Sequence, residues 1–285
     1  MKKTILVCAA FCASTALFAS QLSYYPSSFR SVFEQATQKN QDLKNSLFLV
    51  LSSFHQSGQD GIDQLVENCP ESIMRTCYQQ KSLGYDQARV HLFGQLHLRQ
   101  DQQGTYLEDV YCNRKLRDGD NDGNVQVGNM IIPANQYINC EHTWPQSRFS
   151  SKFPKNLQKA DLHHLYPTDP KANSERGNIP FGENNGRGLT NCADSSKGRL
   201  NGGSGSYYFN PPAEHRGNVA RALFYFSVRY KLPIDATQER FLRQWHHADP
   251  VDANEEERNN QIEILQWNRN PFIDFPHLVG EIADF

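Results

Sequence analysis

The chain has 285 residues, 38% of them hydrophobic, and 29 Lys/Arg offset by 31 Asp/Glu for a net charge of −2. That apolar share is enough for a substantial core, built as one large domain or as a domain with helical elaboration. The near-neutral balance excludes a protein that coats nucleic acid through overall positive charge.

Met1-Lys2-Lys3 is a short basic start, Thr4 to Phe18 is a mostly apolar run, and Ala16, Ala19 and Ser20 offer small residues for cleavage. Residues 1–20 therefore read as a secretory signal peptide. No later stretch approaches the roughly twenty apolar residues of a membrane span. The mature protein is expected in the periplasm or the medium, with nothing pointing to a membrane or an obligate protein partner. Cys8 and Cys12 leave with the leader; Cys69, Cys77, Cys112, Cys140 and Cys192 remain. An oxidising compartment favours disulfides, and no Cys-x-x-Cys pair suggests a zinc knuckle. Five is odd, so one thiol is free or pairs between chains. Cys69–Cys77 closes the shortest loop, and Cys140–Cys192 would staple the candidate site strand to a later loop.

In chain order, Phe29, Val32, Phe33, Ala36, Leu43, Leu47, Val50, Leu51 and Phe54 recur at helical steps, predicting an amphipathic helix or helix pair. His91 to Leu98 and Tyr106 to Tyr111 read as short strands. Asp118 to Asn129 is rich in Gly, Asn and Asp and reads as loop. Met130 to Pro133 and Tyr137 to His142 read as a hairpin leading into the site. Lys197 to Gly205 is a second glycine-rich loop. After Pro211-Pro212 the pattern is helical again, with Val219, Ala222, Leu223, Phe226 and Tyr230 on one face. Asp235 with Gln238 and Asp252 with Glu255 look like capping boxes. Asn268 to Asp274 interrupts the pattern before a last short helix. The order predicts an α+β protein: an N-terminal helical segment (21–85) forming one compact unit with the remainder (86–285), mostly helical around a small β region that carries the chemistry.

The chemistry centres on Cys140-Glu141-His142-Thr143-Trp144-Pro145, then Asp161-Leu162-His163-His164-Leu165, then Asn173-Ser174-Glu175-Arg176-Gly177-Asn178. Alone, a Glu-His pair is weak, and adjacent residues on a strand point to opposite faces. Trp144-Pro145 ends any strand just after the pair, and a helix-compatible Lys171 to Arg176 places Asn173 and Arg176 on one face. One carboxylate and one amide, without thiolates, suit Mg²⁺, Mn²⁺ or Ca²⁺ rather than zinc. From Arg148 to Arg199 nine Lys/Arg face five Asp/Glu, a local excess that suits a polyanion.

These blocks, with Asp109-Val110-Tyr111-Cys112, Gly217 to Ala222 and Asn268 to Asp274, resemble the endonuclease I family of exported bacterial nucleases, in the ββα-metal (His-Me finger) group. The resemblance runs from about Val90 to the C-terminus. It implies a ββα-metal active site, Glu141 and Asn173 as ligands of one catalytic ion, and His142 as general base. It also implies DNA and RNA substrates held by their phosphate backbone, cut to 5′-phosphate and 3′-hydroxyl ends. An ordinary imidazole titrates near pH 6.5, so activity is expected to fall in acid. Some members carry a phosphate-clamping arginine in a longer insert, which the short stretch from Gln146 to Ala160 lacks. Arg148, or else Arg176, is expected to take that place.

Other features weigh toward structural roles. Asp161 and His163 are expected to brace the site, and His164 to do the same or to reach substrate. His246-His247 and Tyr207-Tyr208-Phe209 read as core or surface. Asp118, Asp120 and Asp122, with Gly123, imitate an EF-hand loop and a structural Ca²⁺ site, although Asn129 stands where a bidentate Glu belongs. The rival reading is an exported calcium-binding adhesion module with an inactive nuclease core.

Overall fold

The structure, a computed structural model, describes residues 22–69, 76–190, 192–200 and 205–285; the signal peptide lies outside them. Two helices, α1 (Ser27–Gln35) and α2 (Asn40–Ser52), bury the expected stripe through Phe33, Leu43, Leu47, Val50 and Leu51. A three-stranded antiparallel sheet follows, β1 (Phe54–Ser57) between β2 (Asp63–Val66) and β3 (Cys77–Tyr78). Cys69 and Cys77 are joined by a disulfide.

The stretch expected as a strand from His91 is helical. Helix α3 (Tyr85–His91) runs into a π-helical turn (Leu92–Leu96) before the chain extends. Ala88, Leu92, Phe93 and Leu96 are all buried in one cluster, which helical spacing alone allows. Short apolar runs do not separate the two conformations. A meander of β4 (Leu98–Asp101), β5 (Gly104–Glu108) and β6 (Lys115–Arg117) comes next.

The site strand β7 (Asn139–His142) does not pair with Met130–Pro133 as expected. Met130 has φ 58° and its N–H donates to Gly94 O at 3.3 Å, and Pro133 has no N–H to give. After helix α4 (Lys155–Lys159), strand β8 (Leu165–Thr168) supplies the partner, with Cys140 opposite Pro167, Glu141 opposite Tyr166 and His142 opposite Leu165. Helix α5 (Pro170–Arg176) follows at once, started by Pro170 and by Asp169, whose carboxylate accepts from Ala172 N–H at 2.8 Å.

A third antiparallel sheet places β10 (Cys192–Arg199) between β9 (Gly188–Leu189) and β11 (Tyr207–Asn210). Lys197 to Arg199 thus extend a strand instead of opening the loop, and 201–204 lie outside the described residues. Four helices close the chain: α6 (Arg216–Tyr230), α7 (Ala236–Ala248), α8 (Ala253–Gln266) and α9 (Pro271–Asp274). Asp235 and Asp252 cap α7 and α8 by accepting backbone N–H groups, as their spacing predicts. The architecture is α+β.

The apolar residues form two clusters. The larger joins α1 and α2 to α6, α7 and the C-terminal Phe285; the smaller holds α3, the π turn, Cys140 and Leu165. This division accounts for the partner of Cys192. Cys112 and Cys192 share the larger cluster and are bonded, whereas Cys140 points into the smaller one as a buried free thiol. The expected Cys140–Cys192 bridge is therefore replaced by Cys112–Cys192.

Candidate active site

Glu141 and His142 lie at the end of β7 and face opposite sides of it, as strand geometry requires. On one side the Glu141 carboxylate is fully buried. Its Oε1 accepts from the Tyr111 hydroxyl at 2.8 Å and lies 3.3 Å from Arg176 Nη1. Burial raises its pKa above the ordinary carboxylate value, against the pull of the Arg176 charge and the Tyr111 hydroxyl. Asp109 holds Tyr111 in place: its Oδ1 accepts from Tyr111 N–H, Thr168 Oγ1–H and Asp169 N–H, tying that turn to the β8–α5 junction.

On the other side, His142 Nε2 lies 3.0 Å from the carbonyl of Lys159, the last residue of α4. A carbonyl can only accept, so Nε2 carries the proton and Nδ1 keeps its lone pair. The nearest donor to Nδ1 is the Gln146 amide at 3.4 Å. Burial, and then the neighbouring His164 ring, push the His142 pKa down to about 3 instead of the ordinary value. The imidazole is therefore neutral, the form a base requires.

Arg176 links the two sides. Its guanidinium, 2% exposed, donates to His142 O at 3.3 Å, Thr143 O at 2.6 Å and Gly177 O at 3.0 Å, besides pairing with Glu141. It serves here as a brace for the end of β7, with its charge already committed. Asn173 sits one turn earlier on α5, partly exposed, and its side-chain amide makes no hydrogen bond among the described residues. Arg148 is exposed on the turn after Pro145, and its guanidinium likewise has no partner among the described residues.

A hard cation fits this donor set. Glu141 Oε2 takes no side-chain donor and the Asn173 amide oxygen is uncommitted, a carboxylate and a neutral oxygen without sulfur.

The bracing residues lie beneath. Asp161 is buried and accepts from the hydroxyls of Tyr225 and Tyr230, the amides of Gln80 and Gln266, and His163 N–H. Burial alone would raise its carboxyl, but His163, His164 and these donors outweigh it and hold the pKa below the ordinary value. His163 Nε2 meets Asn268 O at 3.3 Å and His164 Nε2 meets Gln158 O at 2.8 Å; both rings are buried, and His164 packs 5.3 Å from His142. His164 thus buttresses the His142 ring from inside the fold.

The acidic loop does not assemble an ion site. Asp118 accepts from Val127 N–H and Asp120 from Arg117 N–H, while Asn121 and Asp122 turn the chain with φ near 55°. Among the described residues no three His, Cys, Asp or Glu side chains gather to hold a metal. The carboxylates are used to cap a turn. Tyr111 and the Lys159 carbonyl are contacts that residue-by-residue reading missed; the Asp-Val-Tyr-Cys block was the one available signal for the first.

The profile of the Endonuclease I family matches residues 67–277. The chain belongs to the endonuclease I family. Members of this family generally depend on a divalent metal. Over 166 residues the chain is 37% identical to the extracellular ribonuclease of Bacillus subtilis (strain 168), covering 50% of this chain and 53% of that protein. Over 152 residues it is 33% identical to an extracellular deoxyribonuclease of Aeromonas hydrophila and 32% identical to a periplasmic deoxyribonuclease of the same species, covering 63% and 61% of them. The chain thus spans about half to two-thirds of the curated relatives it matches. No helix among the described residues is long and apolar enough to cross a membrane.

Proposed function

We propose that this protein is an exported, metal-dependent, sequence-tolerant endonuclease acting on DNA and RNA, released to the periplasm or the medium. The observation that supports the mechanism is the pinned imidazole: Lys159 O fixes the protonated nitrogen of His142 and leaves the lone pair of Nδ1 for a base, with only the Gln146 amide near it at 3.4 Å. His142 takes the proton of the attacking water through Nδ1. Glu141 and Asn173 would hold a divalent ion, Mg²⁺ or else Mn²⁺ or Ca²⁺, which would supply positive charge to offset that on the phosphate and the departing 3′ oxygen. Tyr111 and Arg176 keep the Glu141 side chain in one position throughout. Arg148, exposed and without a side-chain partner among the described residues, meets a phosphate oxygen pair as the clamp. The products carry 5′-phosphate and 3′-hydroxyl ends.

Relatives named ribonuclease and deoxyribonuclease, extracellular and periplasmic, support both the breadth of substrate and the export. Two disulfides suit an oxidising compartment. The test is nicking of supercoiled plasmid with Mg²⁺ or with EDTA. Wild type is expected to nick only with the metal, and His142→Ala, Glu141→Ala and Asn173→Ala to lose at least a hundredfold. Full activity in His142→Ala overturns the mechanism. Cleavage should also weaken steeply with salt, because backbone phosphates supply the grip; rates indifferent to salt would remove that part.

A further inference from the structure

The Gln146 side chain meets His142 Nδ1, its amide nitrogen 3.4 Å away, and has no other hydrogen-bond partner among the described residues. The rest of the imidazole is enclosed. The rings of His164, Tyr85 and Phe149 lie 5.3, 5.5 and 6.2 Å from it, and Lys159 O takes Nε2–H at 3.0 Å. Gln146 is the exposed member of that set, while His142 itself is 7% exposed. The polar approach from solvent to the Nδ1 lone pair therefore leads past this amide. The placement comes from the local turn. Pro145 ends the extended run, and Gln146–Arg148 forms a single 3₁₀ turn closed by Arg148 N–H to Pro145 O at 2.9 Å. Gln146 thereby folds back over the histidine, and the turn does not need its amide, because the backbone closes the turn by itself. The contact is also longer than the roughly 3.0 Å of an ordinary N–H hydrogen bond, so a water displaces it at little cost.

We propose that Gln146 orients the attacking water, holding it against His142 Nδ1 through the amide oxygen. The inference rests on the phosphodiesterase reading above and adds the residue that aims the nucleophile. Nδ1 can only accept, so the amide nitrogen is the atom that faces it here. The last torsion of a glutamine is soft, so the amide turns over readily and presents its oxygen in the same place. A water between the two groups donates one O–H to Nδ1 and the other to Gln146 Oε1. Both hydrogens are then fixed, which leaves the lone pairs of that water for the phosphorus. In the chemical step the first O–H bond breaks and its proton passes to Nδ1 as the oxygen bonds phosphorus. The bond from phosphorus to the 3′ oxygen breaks, and that oxygen leaves with the electron pair. The Gln146 contact persists through the step, because the amide neither gains nor loses a proton. His142 alone would hold the water by one hydrogen and let it swing about that bond. A neutral amide takes this place without repelling the phosphate, as a carboxylate would.

Steady-state cleavage of a short duplex oligonucleotide with Mg²⁺ tests this, alongside binding of the same oligonucleotide in EDTA, followed by anisotropy. Gln146→Met keeps the length of the side chain and loses the acceptor. It is expected to lower kcat about thirtyfold, while KM, the affinity in EDTA and the urea midpoint stay at their wild-type values. Gln146→Glu restores an oxygen acceptor. It is expected to recover kcat to within about threefold of wild type, with KM raised by charge repulsion. Wild-type kcat in Gln146→Met overturns the proposal and leaves the nuclease reading intact. A Gln146→Glu enzyme as slow as Gln146→Met overturns it too, because the missing acceptor is then not the cause. If the loss in Gln146→Met lies in KM and in binding, Gln146 grips the substrate and does not aim the water, and the proposal fails. A wild-type protein that cuts no strand removes the hydrolytic reading and this role together.

Discussion

At the scale of single residues, two arginines offered by the sequence for one task turn out to differ in kind. Arg176 is buried and its charge is spent on Glu141 and on three carbonyls; Arg148 is exposed and free among the described residues. Replacing Arg176 with Ala leaves a buried carboxylate uncompensated and is expected to destabilise the fold by roughly 3–5 kcal/mol, read from urea unfolding. Arg148→Ala is expected to unfold like wild type but to cut DNA more slowly, with a shallower dependence on salt. Equal stability losses in the two variants would contradict this division. His142 shows the same contrast between residue type and environment. Its identity suggests an ordinary titration, but burial holds it neutral down to about 3.

At the scale of elements, the site is a strand pair followed by a short helix, and each part is locked from outside. Helix α4 locks the site from one side: its last carbonyls take up His142 and His164, while Gln158 anchors the preceding loop through Ser150 and Phe153. The Cys112–Cys192 disulfide ties the Tyr111 turn to β10 across 80 residues. Reducing a loop of that length, or replacing Cys112 and Cys192 with Ser, should lower unfolding stability by roughly 4 kcal/mol and loosen Tyr111 against Glu141. Nicking should fall with it, and a double variant with unchanged urea midpoint and activity would show the bridge to be incidental. Losing the Asp252 cap should cost about 1 kcal/mol, with activity kept.

At the scale of the whole molecule, buried histidines couple stability to pH. Burial lowers His163 and His164 to about 4 and His215 to about 3, against an ordinary value near 6.5 in the unfolded chain. Between those limits the unfolded chain binds protons that the folded chain refuses, so acid favours unfolding. Stability is whole above about pH 6.5 and is lost progressively as pH falls toward 4. The melting temperature measured across that range is expected to fall steeply, and a flat profile would mean that these rings gain protons in the folded state.

The sequence alone determined what local chemistry can carry: the helical stripes of α1, α2 and α6, the caps at Asp235 and Asp252, the stop at Trp144-Pro145, the α+β class and the family. Those signals live in neighbouring residues, and the family motifs are ordered blocks that need no folding to be read. Tertiary structure decided the rest. Met130–Pro133 has strand-like residues but lost β7 to Leu165–Thr168, because pairing depends on which N–H groups are free across the gap. The stretch at His91 became helix because one cluster claimed a whole face of it, and Cys192 found Cys112 because the two cores separate it from Cys140. Tyr111, Lys159 and the buried state of Arg176 follow from distances between residues 17 to 35 positions apart or more, and spacing along a chain does not encode such distances.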